Sequence, residues 1–275
     1  PDSHRLTDPD FALQNWASQI LTPPNGTLCQ NQPGDPTPAP CGFGAPEQDA
    51  RHHIALFGDS HAGMWAAALI QFAEREGIRV HAYLASSCGA TDDPLSFATY
   101  LTMDRREACN AWRAAATDQI LSDPRIAVVV VSANAYSQKV WAGDRWAEDD
   151  GTGFAALWTR LRAAGKQVLV IDDVPMLPMK LPDCLARPHP ADDPCTRPAQ
   201  EVPQLTSLAR GVALLPADEV HYVAMRDIFC DGDTCHAIIG GIPAYMDSDH
   251  ISAPMARSLA PWIEPAVMQA LSSQP

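Results

Sequence analysis

The run Ile126-Ala-Val-Val-Val-Val131 is apolar without alternation, and it constrains the fold more than any other stretch. Such a strand must be covered on both faces, as happens where helices flank a parallel sheet. Its surroundings carry the same message. Residues 53–57 read as a strand and 60–76 as a helix, with Met64, Trp65, Ala68, Leu69 and Phe72 on one face. Strand 78–84, helix 105–121, strand 126–131, helix 154–164 ending at Gly165, and strand 167–171 follow in turn. This rhythm specifies an α/β fold: a doubly wound parallel sheet flanked by helices, three layers deep and flavodoxin-like. At 275 residues the chain can bury one full core, so one domain with decorations is expected.

The decorations lie at the start and after strand 167–171. Residues 8–20 have helical spacing of Phe11, Leu13, Trp16 and Ile20. Residues 22–49 are rich in proline and glycine and read as an extended, disulfide-pinned segment wrapping the core or linking to a preceding domain. The division expected is therefore 1–50 as extension and 51–275 as the catalytic domain. Residues 172–198 hold seven prolines and two cysteines and read as an irregular excursion. A helix around 199–210, a strand at 220–223 and a last helix from Ala253, with Met255, Leu259, Trp262 and Ile263, complete the chain. No run of about 18 apolar residues is present. The chain starts at Pro1 with no signal-peptide pattern, so a processed product or excised domain is expected.

A formal charge of −14 with no basic cluster argues against nucleic acid, whose phosphates would be repelled. Neutral substrates such as glycans fit more easily. The eight cysteines fall into four neighbouring pairs along the chain: Cys29 and Cys41, Cys88 and Cys109, Cys184 and Cys195, Cys230 and Cys235. Four disulfides imply an oxidising compartment outside the cytoplasmic membrane. The alternative is zinc at Cys230, Cys235 and His236, against which stands the lack of any CxxC.

Gly58-Asp59-Ser60-His61 lies where strand 53–57 turns into a helix. A serine there projects its hydroxyl with the helix N-terminus behind it, a placement suited to a nucleophile. Asp247-Ser248-Asp249-His250 supplies an imidazole base with a carboxylate three residues before it. His250 would take the Ser60 proton and return one to the leaving group, while Asp247 holds the other ring nitrogen. Asp249, adjacent to His250, is the rival carboxylate and would point the other way. Donors for the oxyanion are the Ser60 amide, the Gly89 amide and the Asn134 side chain. Ligands in open parallel sheets gather at the carboxyl ends of strands, and all these loops end there. Asp59 is read as a cap or orienting group, and His61 as a supporting residue rather than the base. Tyr136, Trp141 and Trp146 either line an acceptor groove for sugar by stacking or are packing residues. No metal, nucleotide or other cofactor site is indicated, since no glycine-rich phosphate loop follows the first strand.

These residues resemble the SGNH/GDSL hydrolase superfamily. Its first block is similar to Gly58-Asp59-Ser60-His61 and its last to Asp247-x-x-His250 before a terminal helix. Ser132-Ala133-Asn134 resembles the block supplying an oxyanion-hole asparagine, though that block normally begins with glycine. Gly89 is the nearest match to the glycine block. A narrower resemblance covers most of residues 25–270. Phe57 to Ala62, Cys88, Cys184 in its proline-rich loop, and Cys230 to Ser252 look like the extracytoplasmic SGNH domain at the C-terminus of bacterial acyltransferase-3 membrane proteins. That resemblance implies a membrane domain as acyl donor, joined through residues 1–50 in the same polypeptide. It also implies O-acylation, acetyl first, of an envelope polysaccharide, peptidoglycan or glycolipid.

Three functions compete. The first is a serine O-acyltransferase working through an acyl-enzyme. The second is a secreted carbohydrate esterase with the same residues. The third is a disulfide-stapled glycan-binding module with a relic triad. The triad does not separate the first two, because water and a sugar hydroxyl compete for one acyl-enzyme.

Overall fold

A computed structural model describes residues 29–187 and 195–273. Its central sheet has six strands: β1 (Cys41–Gly44), β2 (His52–Gly58), β3 (Ile78–Leu84), β4 (Ile126–Ser132), β5 (Gln167–Ile171) and β6 (His221–Val223). They lie in the order β1-β3-β2-β4-β5-β6, parallel throughout except β1, which runs antiparallel along the β3 edge. The five parallel strands thus have the doubly wound order expected from the sequence. The chain leaves β2 for β3 on one side and returns to β4 on the other, so β2 ends at the switch point of the topology.

The apolar runs feed two cores. Ile54 and Leu56 of β2, Val128 and Val130 of β4, and Leu169 and Ile171 of β5 face one layer. Ala55, Phe57, Val129, Val131, Val168 and Val170 face the other. The first layer is closed by residues 62–73 and by the helices Ala253–Ser258 and Ala260–Ser272. The second is closed by the helices Met103–Ser122 and Thr152–Ala163, through Trp112, Ile120, Phe154 and Trp158. Alternation within a wholly apolar strand therefore sorts residues between two cores rather than between core and water.

Several elements differ from expectation. The helix over 60–76 is broken into Ser60–Gly63 and Ala66–Leu69 and then turns. The i→i+3 bonds Trp65 N→Ala62 O, Gln71 N→Ala68 O and Phe72 N→Leu69 O tighten it. The expected apolar residues are all buried nonetheless, and Ala66 to Leu69 are buried on every side. The helix expected at 199–210 is a short 3-10 turn, Ala199–Glu201, then Ser207–Ala213. Pro203 keeps Val202 extended (φ −95°, ψ 126°), and Thr206 caps the restart by accepting from Ala209 N. The expected helix over 8–20 lies outside the described residues.

All four neighbouring cysteine pairs are disulfides: Cys29–Cys41, Cys88–Cys109, Cys184–Cys195 and Cys230–Cys235. The zinc alternative fails, because the Cys230 and Cys235 sulfurs are bonded to each other. Residues 29–50 lie on the sheet. Cys29 is buried in the first core, and β1 adds the edge strand. Among the described residues no helix is long and apolar enough to cross a membrane.

Candidate active site

The site starts from Gly58. A side chain here would meet the Ser132 carbonyl oxygen at 2.1 Å and the Ala62 methyl at 2.7 Å, so only glycine lets β2 turn this tightly beside β4. Asp59 then caps the first helical turn, its Oδ1 accepting from His61 N at 2.9 Å. The same buried carboxylate accepts Asn134 N at 3.0 Å, tying the turn after β2 to the loop after β4. Ser60 stands at the start of the turn with its hydroxyl at the wall of a cavity of about 400 Å³.

The base arrives from far along the chain. His250 Nε2 lies 2.8 Å from Ser60 Oγ, and His250 Nδ1 lies 2.8 Å from Asp247 Oδ2. Asp247 Oδ1 also accepts the backbone amides of Asp249 (3.0 Å) and His250 (2.7 Å), so the carboxylate that holds the ring also folds its loop. That loop is fastened from outside. Leu177 N donates to Ser248 O and Leu181 N to Asp247 O, both from the proline-rich excursion that Cys184–Cys195 staples. Asp249 approaches His250 Nδ1 only to 3.4 Å and instead accepts from Asn134 Nδ2 at 3.2 Å.

A second imidazole lies beneath the first. His61 is buried, and its Nδ1 is 2.7 Å from Asp173 Oδ1. Its Nε2 has no hydrogen-bond partner and faces Asp249 Oδ2 at 3.8 Å. The His61 and His250 ring centroids are 4.5 Å apart. Burial disfavours charge on His61, but the Asp173 carboxylate, with Asp249 and Asp59, outweighs it and raises the pKa well above the usual imidazole value. Burial and His61 likewise oppose charge on His250; Asp247 and Asp249 outweigh them and raise its pKa more modestly. Burial pushes the Asp59 carboxyl up. For Asp247, burial is overcome by its bonds to His250 and the pKa falls.

Not every residue anticipated from the sequence is brought to the cavity. Ser60, Asp247, His250 and Asn134 line it. Gly89 does not: Gln138 packs where a Gly89 side chain would stand, and the Gly89 carbonyl accepts from the buried Arg113 Nε at 2.7 Å. The loop after β3 instead presents Ser86 and Ser87. Tyr136, Trp141 and Trp146 are absent from the lining. Tyr136 packs against Ala199, Val202 and Cys235. Trp141 and Trp146 form a cross-strand edge contact at 5.2 Å, with the Arg106 guanidinium 4.6 Å from the Trp146 ring.

Sequence reasoning missed Asp173, Asn134's bond to Asp249, and the cavity wall made by Gln30, Gln32 and Tyr100. Asp172-Asp173 had a readable signal: two acids directly after an apolar parallel strand, at the end where ligands gather. Among the described residues, two clusters could bring three metal-ligand atoms together: His61, Asp249 and His250, and Glu47, His53 and His81. In the first, His250 Nε2 is engaged by Ser60. In the second, His53 and His81 bond each other and Glu47 is held by Arg79 and Arg125.

An imidazole between a serine hydroxyl and a carboxylate, at a cavity and a switch point, is an arrangement for activating that hydroxyl. Comparison with curated proteins gives no match. Among solved structures, the periplasmic domain of a lipopolysaccharide acetyltransferase from Salmonella ser. Paratyphi A is similar. It has a TM-score of 0.61 over 98% of this chain and 100% of that one. At 12% identity the likeness is one of fold. The model of the family described as SGNH domain (fused to AT3 domains) matches residues 28–265. Covering most of the chain, that match identifies it as a member of this family of SGNH domains.

Proposed function

We propose that the chain is the extracytoplasmic catalytic domain of an envelope O-acyltransferase. It takes an acyl group, acetyl first, onto Ser60 and passes it to a hydroxyl of a cell-envelope glycan or glycolipid. The observation that carries this is the 2.8 Å contact of His250 Nε2 with Ser60 Oγ, backed by Asp247 on the other ring nitrogen.

In the first half-reaction Ser60 Oγ attacks the acyl carbonyl while its proton passes to His250 Nε2. Asp247 stabilises the imidazolium so formed. The Ser60 amide and Asn134 Nδ2 are the donors proposed for the tetrahedral oxyanion. Collapse expels the leaving group, which takes the proton from His250. In the second half the acceptor hydroxyl gives its proton to His250 and attacks the Ser60 ester, and collapse returns the proton to Ser60. With water as acceptor the same steps make an esterase.

The fusion of this family to AT3 domains supports a membrane acyltransferase as donor, with residues 1–50 as the join. The structural neighbour, an acetyltransferase domain, supports acetyl as the group. Four disulfides support an oxidising, extracytoplasmic location.

The test is nitrophenolate release from p-nitrophenyl acetate by the chain and by Ser60→Ala, with and without glycan. Ser60-dependent release that partitions into acetylated glycan is expected. Release to water alone, unaffected by any acceptor, would favour the esterase. No Ser60-dependent release would sink the acyl-enzyme reading for this domain.

A further inference from the structure

We infer that the cavity above Ser60 is a saccharide subsite selective for uncharged sugar, with Tyr100 as its aromatic platform. This deepens the acyl-transfer reading and rests on it only in taking the ligand to be the acceptor.

Beyond the triad, the cavity lining combines the apolar Ala98 and Met246 with the amide and hydroxyl residues Gln30, Gln32, Ser86 and Ser87. Each such group can donate and accept, which matches a ligand whose own groups are hydroxyls. A volume of about 400 Å³ is within the range of sites that hold small molecules. Tyr100 completes the wall. It is 65% exposed, yet it is held in place, its hydroxyl donating to Ser87 Oγ at 2.7 Å. A fixed aromatic ring left bare at a cavity mouth offers an apolar face for the C–H side of a sugar ring, with a polar edge beside it.

The charge pattern narrows the ligand. Asp59, Asp247 and Asp249 all line the cavity, and among the described lining residues there is no lysine or arginine. His61, the imidazole beneath the floor, is fully buried and outside the lining. Arg105 belongs to the shallow depression that shares Gln32 and Ser86, not to the cavity itself. A carboxylate or phosphate on the sugar would meet the Asp247 and Asp249 carboxylates with no lysine or arginine to offset them, in a protein of net charge −14.

The experiment uses matched pairs: methyl α-D-glucopyranoside with its 6-carboxylate, and methyl α-D-galactopyranoside with its 6-carboxylate. Binding to the chain is followed by saturation-transfer NMR, and Ser60-dependent nitrophenolate release from p-nitrophenyl acetate is measured on the same samples. A neutral member is expected to bind, its carboxylate counterpart about tenfold more weakly or not at all. Tyr100→Ala should abolish the signal and Tyr100→Phe, which keeps the ring, should retain it. Equal or tighter binding of the carboxylates, no binding of either neutral sugar, or undiminished binding by Tyr100→Ala would overturn the inference. Loss of Ser60-dependent release with sugar binding intact would instead count against the acyl-enzyme, leaving the subsite standing.

Discussion

Two imidazole–carboxylate pairs sit side by side in this molecule: His250 with Asp247, and His61 with Asp173. Ring nitrogen to carboxylate is 2.8 Å in one and 2.7 Å in the other, and the rings are 4.5 Å apart. What differs is access. The His250 and Asp247 side chains are 21% and 28% exposed, those of His61 and Asp173 1% and 0%. The open pair has a serine hydroxyl on its free nitrogen; the sealed pair has only Asp249 at 3.8 Å. On the proposed mechanism the same chemistry serves as a proton shuttle where a substrate can reach it, while burial closes the other pair to any substrate. The sealed charge faces Asp249, which in turn holds the Asn134 amide.

The comparison is broken most severely at the open pair. Ser60→Ala and His250→Ala are each expected to lower acyl-ester turnover by about a thousandfold or more while leaving the melting temperature nearly unchanged. Comparable turnover in either variant would remove that residue from the mechanism. At the sealed pair the loss should fall on stability. His61→Ala strands the buried Asp173 carboxylate, so a loss of about 3–5 kcal/mol in chemical denaturation is expected. Denaturation like the wild type would show that the pair is not a buried ionic contact. Between the two, Asn134→Ala should cut kcat by about a hundredfold with little change in KM, as loss of an oxyanion donor does. A change confined to KM would make Asn134 a substrate contact instead.

The smallest effects are in pH. His250 must be neutral to act as base, and its pKa is raised, so activity should rise with pH to a midpoint above the ordinary value of about 6.5. Asp247→Asn should move that midpoint down, and a profile unmoved by the substitution would count against the pairing. For His61 the sign concerns stability. Its folded pKa is raised, so its contribution is full below about pH 6.5 and is lost as pH rises through the folded value. Melting temperatures should fall across that alkaline range in the wild type and fall less in His61→Gln.

The strands were legible because period and burial agree. Runs such as 126–131 and 168–171 are apolar at every position, and no other layering covers both faces. The positions of Ser60, Asp247 and His250 were legible because local turn chemistry and strand ends carry them. Gly89 and the three aromatic residues were placed by adjacency to a strand end, which says nothing of side-chain direction. Direction is set by neighbours such as Gln138 and Arg106, remote in sequence. His61 was read as a supporting residue, but its partner Asp173 lies 112 residues away, beyond any local pattern. The broken helix at 60–76 has the same origin: tertiary burial on every side, not propensity, sets its geometry.

The contact between Ser60 and His250 spans 190 residues, so on the proposed mechanism chemical competence comes late in the folding of this domain. Until the loop from Asp247 to His250 has docked on the excursion after β5, Ser60 lacks the His250 imidazole. Turnover per molecule then serves as a readout of complete folding, sensitive to defects near either end that leave most of the sheet intact.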